Sequence, residues 1–259
     1  MRTNKIRTLL NSGQPTICAR TRTVWPDVVE IIGNLGTFDY VEFASEYGPF
    51  TMADLDNYCR AAEIYGLGTM IKVDQDPRAF LAQRSIGSGF ESVLFVDCRS
   101  AEEVRECVRM VRPDTPDDQG LYGATPRRFA YSGDGKAEYV QALRDVVVAI
   151  MIEKYSAVEQ LEEILSVPGV DMIQWGPSDY TMSSGAYRPG HAIDISAVER
   201  KVIETALKMG VAPRVELKNL EEAPHYLEMG VRHFRIGDDM AILKNYWQKN
   251  GEGLRKLVS

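Results

Sequence analysis

Glu153 and Asp179 are the residues whose type and spacing most plainly point to chemistry. Each closes a hydrophobic run, Val146-Val-Val-Ala-Ile-Met-Ile-Glu153 and Asp171-Met-Ile-Gln-Trp-Gly-Pro-Ser-Asp179. Between them lies Ser156-Ala-Val-Glu-Gln-Leu-Glu-Glu-Ile-Leu165, apolar at Val158, Leu161, Ile164 and Leu165, the three/four spacing of a helix packed on one face. A strand–helix–strand unit in a parallel sheet brings both strand ends, and so both carboxylates, to the same side. Two adjacent hard oxygen donors at such a mouth suit a divalent cation, Mg²⁺ or Mn²⁺, with Co²⁺ a further candidate. Either acid alone would read as a solvated loop residue, because carboxylates are mostly exposed. The pairing, and the Gly-Pro-Ser turn before the second acid, favour a site.

The elements that must position this pair recur along the whole chain. Strand-like runs fall at 15–19, 40–44, 69–73, 92–98, 146–153, 171–175, 212–217 and 233–237. Helical patterns fall between them at 26–34, 52–65, 76–84, 101–111, 157–166, 195–209, 220–228 and 240–249. Ser100 and Asn219 supply start signals, and Gly66, Gly210 and Gly230 supply stops. Unbroken βα alternation predicts a parallel α/β protein, and eight units favour a closed (β/α)₈ TIM barrel over an open doubly wound sheet. No Gly-x-Gly-x-x-Gly follows the first run, which weakens a dinucleotide-binding alternative. The 259 residues match the ~250 of one such barrel, so a single domain over 1–259 is expected.

Composition narrows the partners. An apolar content of 44% supports a large core, and a formal charge of −7 argues against nucleic acid or an anionic membrane, both of which reward clustered Lys and Arg. No apolar stretch approaches the ~20 residues of a membrane span. The N-terminus lacks the apolar region of a signal peptide and reads as a short amphipathic helix. Cys18, Cys59, Cys98 and Cys107 show no metal-finger spacing, so reduced packing residues of a cytoplasmic protein are expected. The Pro- and Gly-rich stretch 113–135 breaks the rhythm. Its Tyr122, Arg127, Arg128 and Tyr131 either form a surface excursion, reach the site, or contact another subunit.

With the barrel in place, the motifs resemble those of the HpcH/HpaI-type aldolase and citrate lyase family, the metal-dependent pyruvate aldolases. The pieces that carry the resemblance are Ile152-Glu153 with the following 157–164 helix, Val167-Pro-Gly-Val-Asp171, Gly176-Pro-Ser-Asp179, Glu46-Tyr-Gly-Pro49, Ala61-Ala-Glu-Ile-Tyr-Gly66 and Arg235-Ile-Gly-Asp-Asp239. The resemblance implies Glu153 and Asp179 as metal ligands. It also implies a 2-oxo acid that chelates the metal through its carboxylate and keto oxygens. The backbone of the Gly176, Pro177 and Ser178 turn would hold the substrate carboxylate. Carbon–carbon cleavage beside a carbonyl leaves an enolate, which a cation on the carbonyl oxygen stabilises. A homo-oligomer, a hexamer or trimer of dimers with the last helix on a neighbour, is implied as well, and Tyr246, Trp247 and Leu254 are apolar enough to cover such a surface.

Departures from the family pattern leave the reaction more open than the metal pair. The usual Asp-x-Glu-His run after strand two reads Ala44-Ser-Glu-Tyr47, so Tyr47 stands at the His position. A phenol, with an ordinary pKa near ~10, is a poor base at neutral pH but can donate a proton. Lys72 replaces an Arg that steadies the enolate oxygen, keeping the charge and losing the planar fork. Met151 replaces a Gln, and Arg84-Ser-Ile-Gly87 lacks the Asp that family members place near a neighbouring subunit. Arg20 and Arg22 follow strand one, where either would face the mouth and hold an anionic group or take over part of the missing Arg's work. Of the histidines, His191 is expected nearest the site, while His225 and His233 read as structural. The leading reading is a divalent-metal carbon–carbon lyase for a small 2-oxo acid, with Lys72 as electrostatic stabiliser and Tyr47 as acid/base partner. The alternatives are decarboxylation, tautomerisation or hydration through the same enolate, and, from another class, a silent oxo-acid binding protein.

Overall fold

In the computed structural model of the protein, which describes residues 3–124, 127–131 and 135–259, the eight apolar runs become eight parallel strands closed into a barrel. The strands are β1 (Thr16–Thr21), β2 (Tyr40–Ala44), β3 (Gly68–Val73), β4 (Ser92–Phe95), β5 (Val147–Ile152), β6 (Met172–Trp175), β7 (Ala212–Leu217) and β8 (His233–Asp238), paired in sequence order with β8 returning to β1. Around them run α1 (Lys5–Asn11), α2 (Pro26–Asn34), α3 (Met52–Ile64), α4 (Arg78–Ser88), α5 (Ala101–Val111), α6 (Lys136–Arg144), α7 (Tyr155–Glu159), α8 (Leu161–Leu165), α9 (Pro177–Ser184), α10 (Ile195–Met209), α11 (Ala223–Glu228) and α12 (Asp239–Val258).

The twofold alternation of strand side chains separates two cores. One set, with Val41, Phe43, Ile71, Val93, Val148 and Ile150, packs outward against the helices. The other fills the barrel with Cys18, Tyr40, Met70, Leu94, Ala149, Met151 and Met172. Ile6 of α1 joins this inner cluster and closes the bottom. There Asn4 donates to the Glu91 and Asp145 carbonyls, and Arg7 grips Asp171 through two bonds of 2.6 and 2.7 Å. The expected N-terminal helix is therefore the plug on the face opposite the strand exits.

Several boundaries differ from expectation for local reasons. The 157–166 helix is broken at Gln160 into α7 and α8. Strand four ends at Phe95, because Asp97 turns into the left-handed region at φ 57°. Helices α6 and α9 lie where the sequence reads as loop, since each is short and neither has a strong apolar stripe. The last helix runs on through Gly251 and Gly253 to Val258.

The described residues of the 113–135 excursion run over α3 and α4. Tyr122 and Arg127 both donate to the Gln83 carbonyl at 3.2 Å, and Arg128 pairs with Glu63, so these side chains bind α3 and α4 rather than the mouth. Pro126 and Gly133 of that stretch lie outside the described residues. All four cysteines are buried thiols, and no helix among the described residues is long and apolar enough to cross a membrane.

Candidate active site

Inward parity carries the chemistry upward from the inner core. Two residues beyond Cys18, Met70 and Met151 stand Arg20, Lys72 and Glu153, which therefore project into the barrel mouth. They line a cavity of about 380 Å³ at the C-terminal strand ends, together with Tyr47, Gly176, Pro177, Ser178 and Asp179. Every site residue expected from the sequence thus opens onto one space. His191 does not: it is exposed on the loop after α9 and takes no part in the lining.

Glu153 is almost wholly buried, and burial pushes its carboxyl up against the opposing pull of the Asp97 amide and Lys72. The Asp97 N–H donates to its Oε1 at 2.8 Å, which the left-handed backbone of Asp97 makes possible. Gly176 lets the next strand end come close: a Cβ there would lie 2.6 Å from the Glu153 Cβ and 2.7 Å from its Oε2. Asp179 sits in the first turn of α9, half exposed, and accepts 2.8 Å from the Lys154 Nζ. Lys154 also pairs with Asp97. Its ammonium is held above the usual lysine range, burial being outweighed by the bonds to Asp179 and Asp97.

Across the mouth, Lys72 donates 2.7 Å to the Tyr47 hydroxyl and lies 2.5 Å from Glu46. Burial disfavours its charge, yet Glu46 and Tyr47 more than compensate and raise its pKa. Tyr47 belongs to a short 3₁₀ turn, Ser45–Tyr47, after β2. The next residue must be Gly48, because a Cβ there would lie 2.2 Å from the Arg22 carbonyl oxygen. That close approach sets the Tyr47 ring among three cations, with Lys72, Arg22 and Arg20 at 4.7, 5.2 and 5.9 Å from its centroid. Arg20 uses Nε and Nη2 on Asp238, at 2.9 and 2.6 Å, and Arg22 shares the same carboxylate oxygen through Nε at 2.9 Å.

With this geometry in place, the model of the HpcH/HpaI aldolase/citrate lyase family matches residues 26–245. The chain belongs to that family. Among its relatives, a hydroxypyruvate/pyruvate aldolase of Delftia acidovorans is 26% identical over 247 residues, covering 93% of this chain and 88% of that protein. A 4-hydroxy-2-oxo-heptane-1,7-dioate aldolase of Escherichia coli is 26% identical over 242 residues, covering 93% and 90%. The crystal structure of an HpcH/HpaI aldolase from Desulfitobacterium hafniense shares the fold with a TM-score of 0.85 at 23% identity, covering 98% of this chain and 97% of that one.

HpcH/HpaI membership places the chain among aldolases and lyases. The donor set agrees with a hard divalent cation. Glu153 keeps Oε2 and Asp179 keeps Oδ2 beyond the bonds that fix their partner oxygens. Among the described residues no group of three or more His, Cys, Asp or Glu is placed to hold a metal.

Sequence reasoning missed the supports beneath and beside this pair. Arg214 is fully buried and bonds Glu42 and Gln174, a polar layer just below the mouth. Arg214 and Arg235 pull the Glu42 carboxyl down against burial. A signal existed, since Glu42, Gln174 and Arg214 share the inward parity of Tyr40, Met172 and Ala212, but it becomes meaningful only once the barrel is closed. Asp238, Asp97 and Lys154 were silent because only the fold brings their partners to them.

Proposed function

We propose that this chain is a divalent-metal-dependent carbon–carbon lyase of the aldolase type, acting on a small 2-oxo acid. The observation that carries the reading is the convergence of Glu153, Asp179 and Lys72 on one cavity beside the Gly176–Ser178 turn. A divalent cation, Mg²⁺ or Mn²⁺, held by Glu153 and Asp179 would polarise the keto group and so stabilise enolate charge. The first turn of α9 lines that space, and the unpaired amides of a helix start suit the substrate carboxylate. Lys72 supplies a fixed positive charge for the keto oxygen, buried where the effective dielectric is low. Tyr47, on the Lys72 ammonium, passes the proton to or from the substrate carbon. The α12 helix, almost wholly exposed, is the surface through which copies of the chain assemble.

A second reading keeps the enolate and omits cleavage: decarboxylation, tautomerisation or hydration. Tyr47 and Ala44 favour it, because a phenol without a carboxylate partner is a weak base for opening an aldol. One experiment tests both readings. Chelator-treated protein is assayed for deuterium exchange at the pyruvate methyl group, with and without Mg²⁺ or Mn²⁺, alongside cleavage of 4-hydroxy-2-oxo acids. Metal-dependent exchange lost in Glu153→Gln supports the enolate site. Exchange or oxaloacetate decarboxylation without any cleavage selects the second reading, and binding with no turnover of any kind sinks both.

A further inference from the structure

Lys154 is the residue the proposed reaction does not use, and its surroundings are unusual. It follows Glu153 directly, is 7% exposed, and sets its ammonium between Asp179 Oδ1, at 2.8 Å, and the Asp97 carboxylate. The position is locally costly. Lys154 is the N-cap of α7, where Ser, Thr, Asp or Asn would satisfy an orphan amide, and it makes no side-chain cap bond. A cation at a helix N-terminus also opposes the helix dipole. Local rules broken without local gain concentrate at functional sites.

We propose that Lys154 is a built-in counter-cation of the Glu153/Asp179 pair, seated on Asp179 ahead of a divalent cation and setting how tightly that cation is held. The inference rests on the metal reading above. Three carboxylates, Asp97, Glu153 and Asp179, converge here, and the ammonium offsets their mutual repulsion while the divalent cation is away. A divalent cation on Asp179 meets that ammonium as a like charge at short range. Asp97 is the second seat that accepts it. Its amide stays on Glu153 Oε1, so the ligand carboxylate keeps its place while Lys154 leaves Asp179. Metal affinity is thereby tuned down by a residue that need not touch metal or substrate.

The test measures Mn²⁺ binding to the chelator-treated full chain, by the electron paramagnetic resonance of free Mn²⁺ and by calorimetry. Wild type is compared with Lys154→Met, Lys154→Arg and Glu153→Gln, with melting curves to verify folding and Lys154→Gln in reserve. Removing the like charge is expected to tighten binding about tenfold or more. Lys154→Arg keeps the charge and stays near wild type, and Glu153→Gln loses binding. Binding by the Met and Gln variants no tighter than by wild type overturns the role of Lys154 and leaves the metal pair standing. An Arg variant as tight as Met assigns the effect to packing and also overturns it. If neither wild type nor any Lys154 variant binds Mn²⁺, the metal reading itself falls and this inference with it.

Discussion

The Lys72 ammonium lies 2.7 Å from the Tyr47 hydroxyl, so one hydrogen bond ties the exit of the third strand to the turn that follows the second. In the proposed reaction these two groups act on the same substrate, one on charge and one on the proton. Lys72→Met is expected to lower pyruvate proton exchange about 10²–10³-fold, the usual cost of removing one preorganised oxyanion partner. Tyr47→Phe is expected to lower it about 10²-fold or more, as general acid–base partners do. Because they act as a unit, the double variant should fall short of the product of the two losses. Tyr47 is 49% exposed, so its variant should melt close to wild type. Full exchange in Tyr47→Phe, followed by proton NMR in deuterated buffer, would remove the phenol from the mechanism.

Gly176→Ala separates the placement of Glu153 from its charge. Gly176 has φ −122°, so alanine meets no backbone penalty there. Its Cβ would instead press on Glu153 at 2.6 Å and on the Met151 Cε at 2.9 Å. The expected outcome is a folded protein, destabilised by about 1–3 kcal/mol as an overpacked site. Mn²⁺ affinity and exchange should fall at least about tenfold, because the carboxylate must move. Calorimetric Mn²⁺ titration beside a urea melt checks both halves. An unchanged Mn²⁺ affinity would show that Glu153 does not need this close approach.

The barrel was legible because its strands are short apolar runs at regular intervals, and β2 and β7 fall where the sequence places them. The mouth was legible where a side chain stands at a strand end beside a recognisable turn, as Glu153, Lys72 and Gly176 do. Arg214 and Glu42 were not, since a charged residue inside an apolar run carries no label saying which face it occupies. Closure of the barrel decides that face and makes them a buried pair. Lys154 was hidden differently. Its local position reads as an ordinary residue before a helix, and only the fold brings Asp97, from a turn 57 positions earlier, and Asp179, 25 positions later, to its ammonium. Helix α9 was hidden by the Gly-Pro-Ser turn that starts it, which reads as loop until the fold seats Trp175 against Tyr180 at 4.9 Å.

Assembly should depend on α12. Twenty residues long, it has Asp239 as its only buried residue and carries Ile242, Trp247 and Leu254 more than half exposed. Exposed apolar side chains along one helix are what an interface between copies of the chain would cover. Light scattering of wild type is expected to give a homo-oligomer, with a hexamer as the specific expectation. Trp247→Glu with Leu254→Glu should shift it to smaller species while the barrel stays folded by circular dichroism. A monomeric wild type at micromolar concentration would remove the oligomer from the proposal.

His233 gives the fold a defined acid sensitivity. It opens β8 at the bottom of the barrel, with its Nδ1 3.0 Å from the Thr16 hydroxyl, and burial followed by the Arg214 charge pushes its pKa from 6.5 down to about 4. Between those values the unfolded chain's imidazole takes up a proton that the folded one refuses. The unfolded state binds more protons there, so stability rises with pH across this window and is lost as pH falls from 6.5 towards 4. The full loss, below both values, amounts to about 3.5 kcal/mol, at about 1.4 kcal/mol per pKa unit. His233→Asn keeps a polar atom towards Thr16 and removes the titration. Urea unfolding at pH 7 and pH 4 should therefore show a shallower loss in the variant than in wild type, with every other titrating group common to both. Parallel losses in the two proteins would mean that His233 is already accessible to protons in the native barrel.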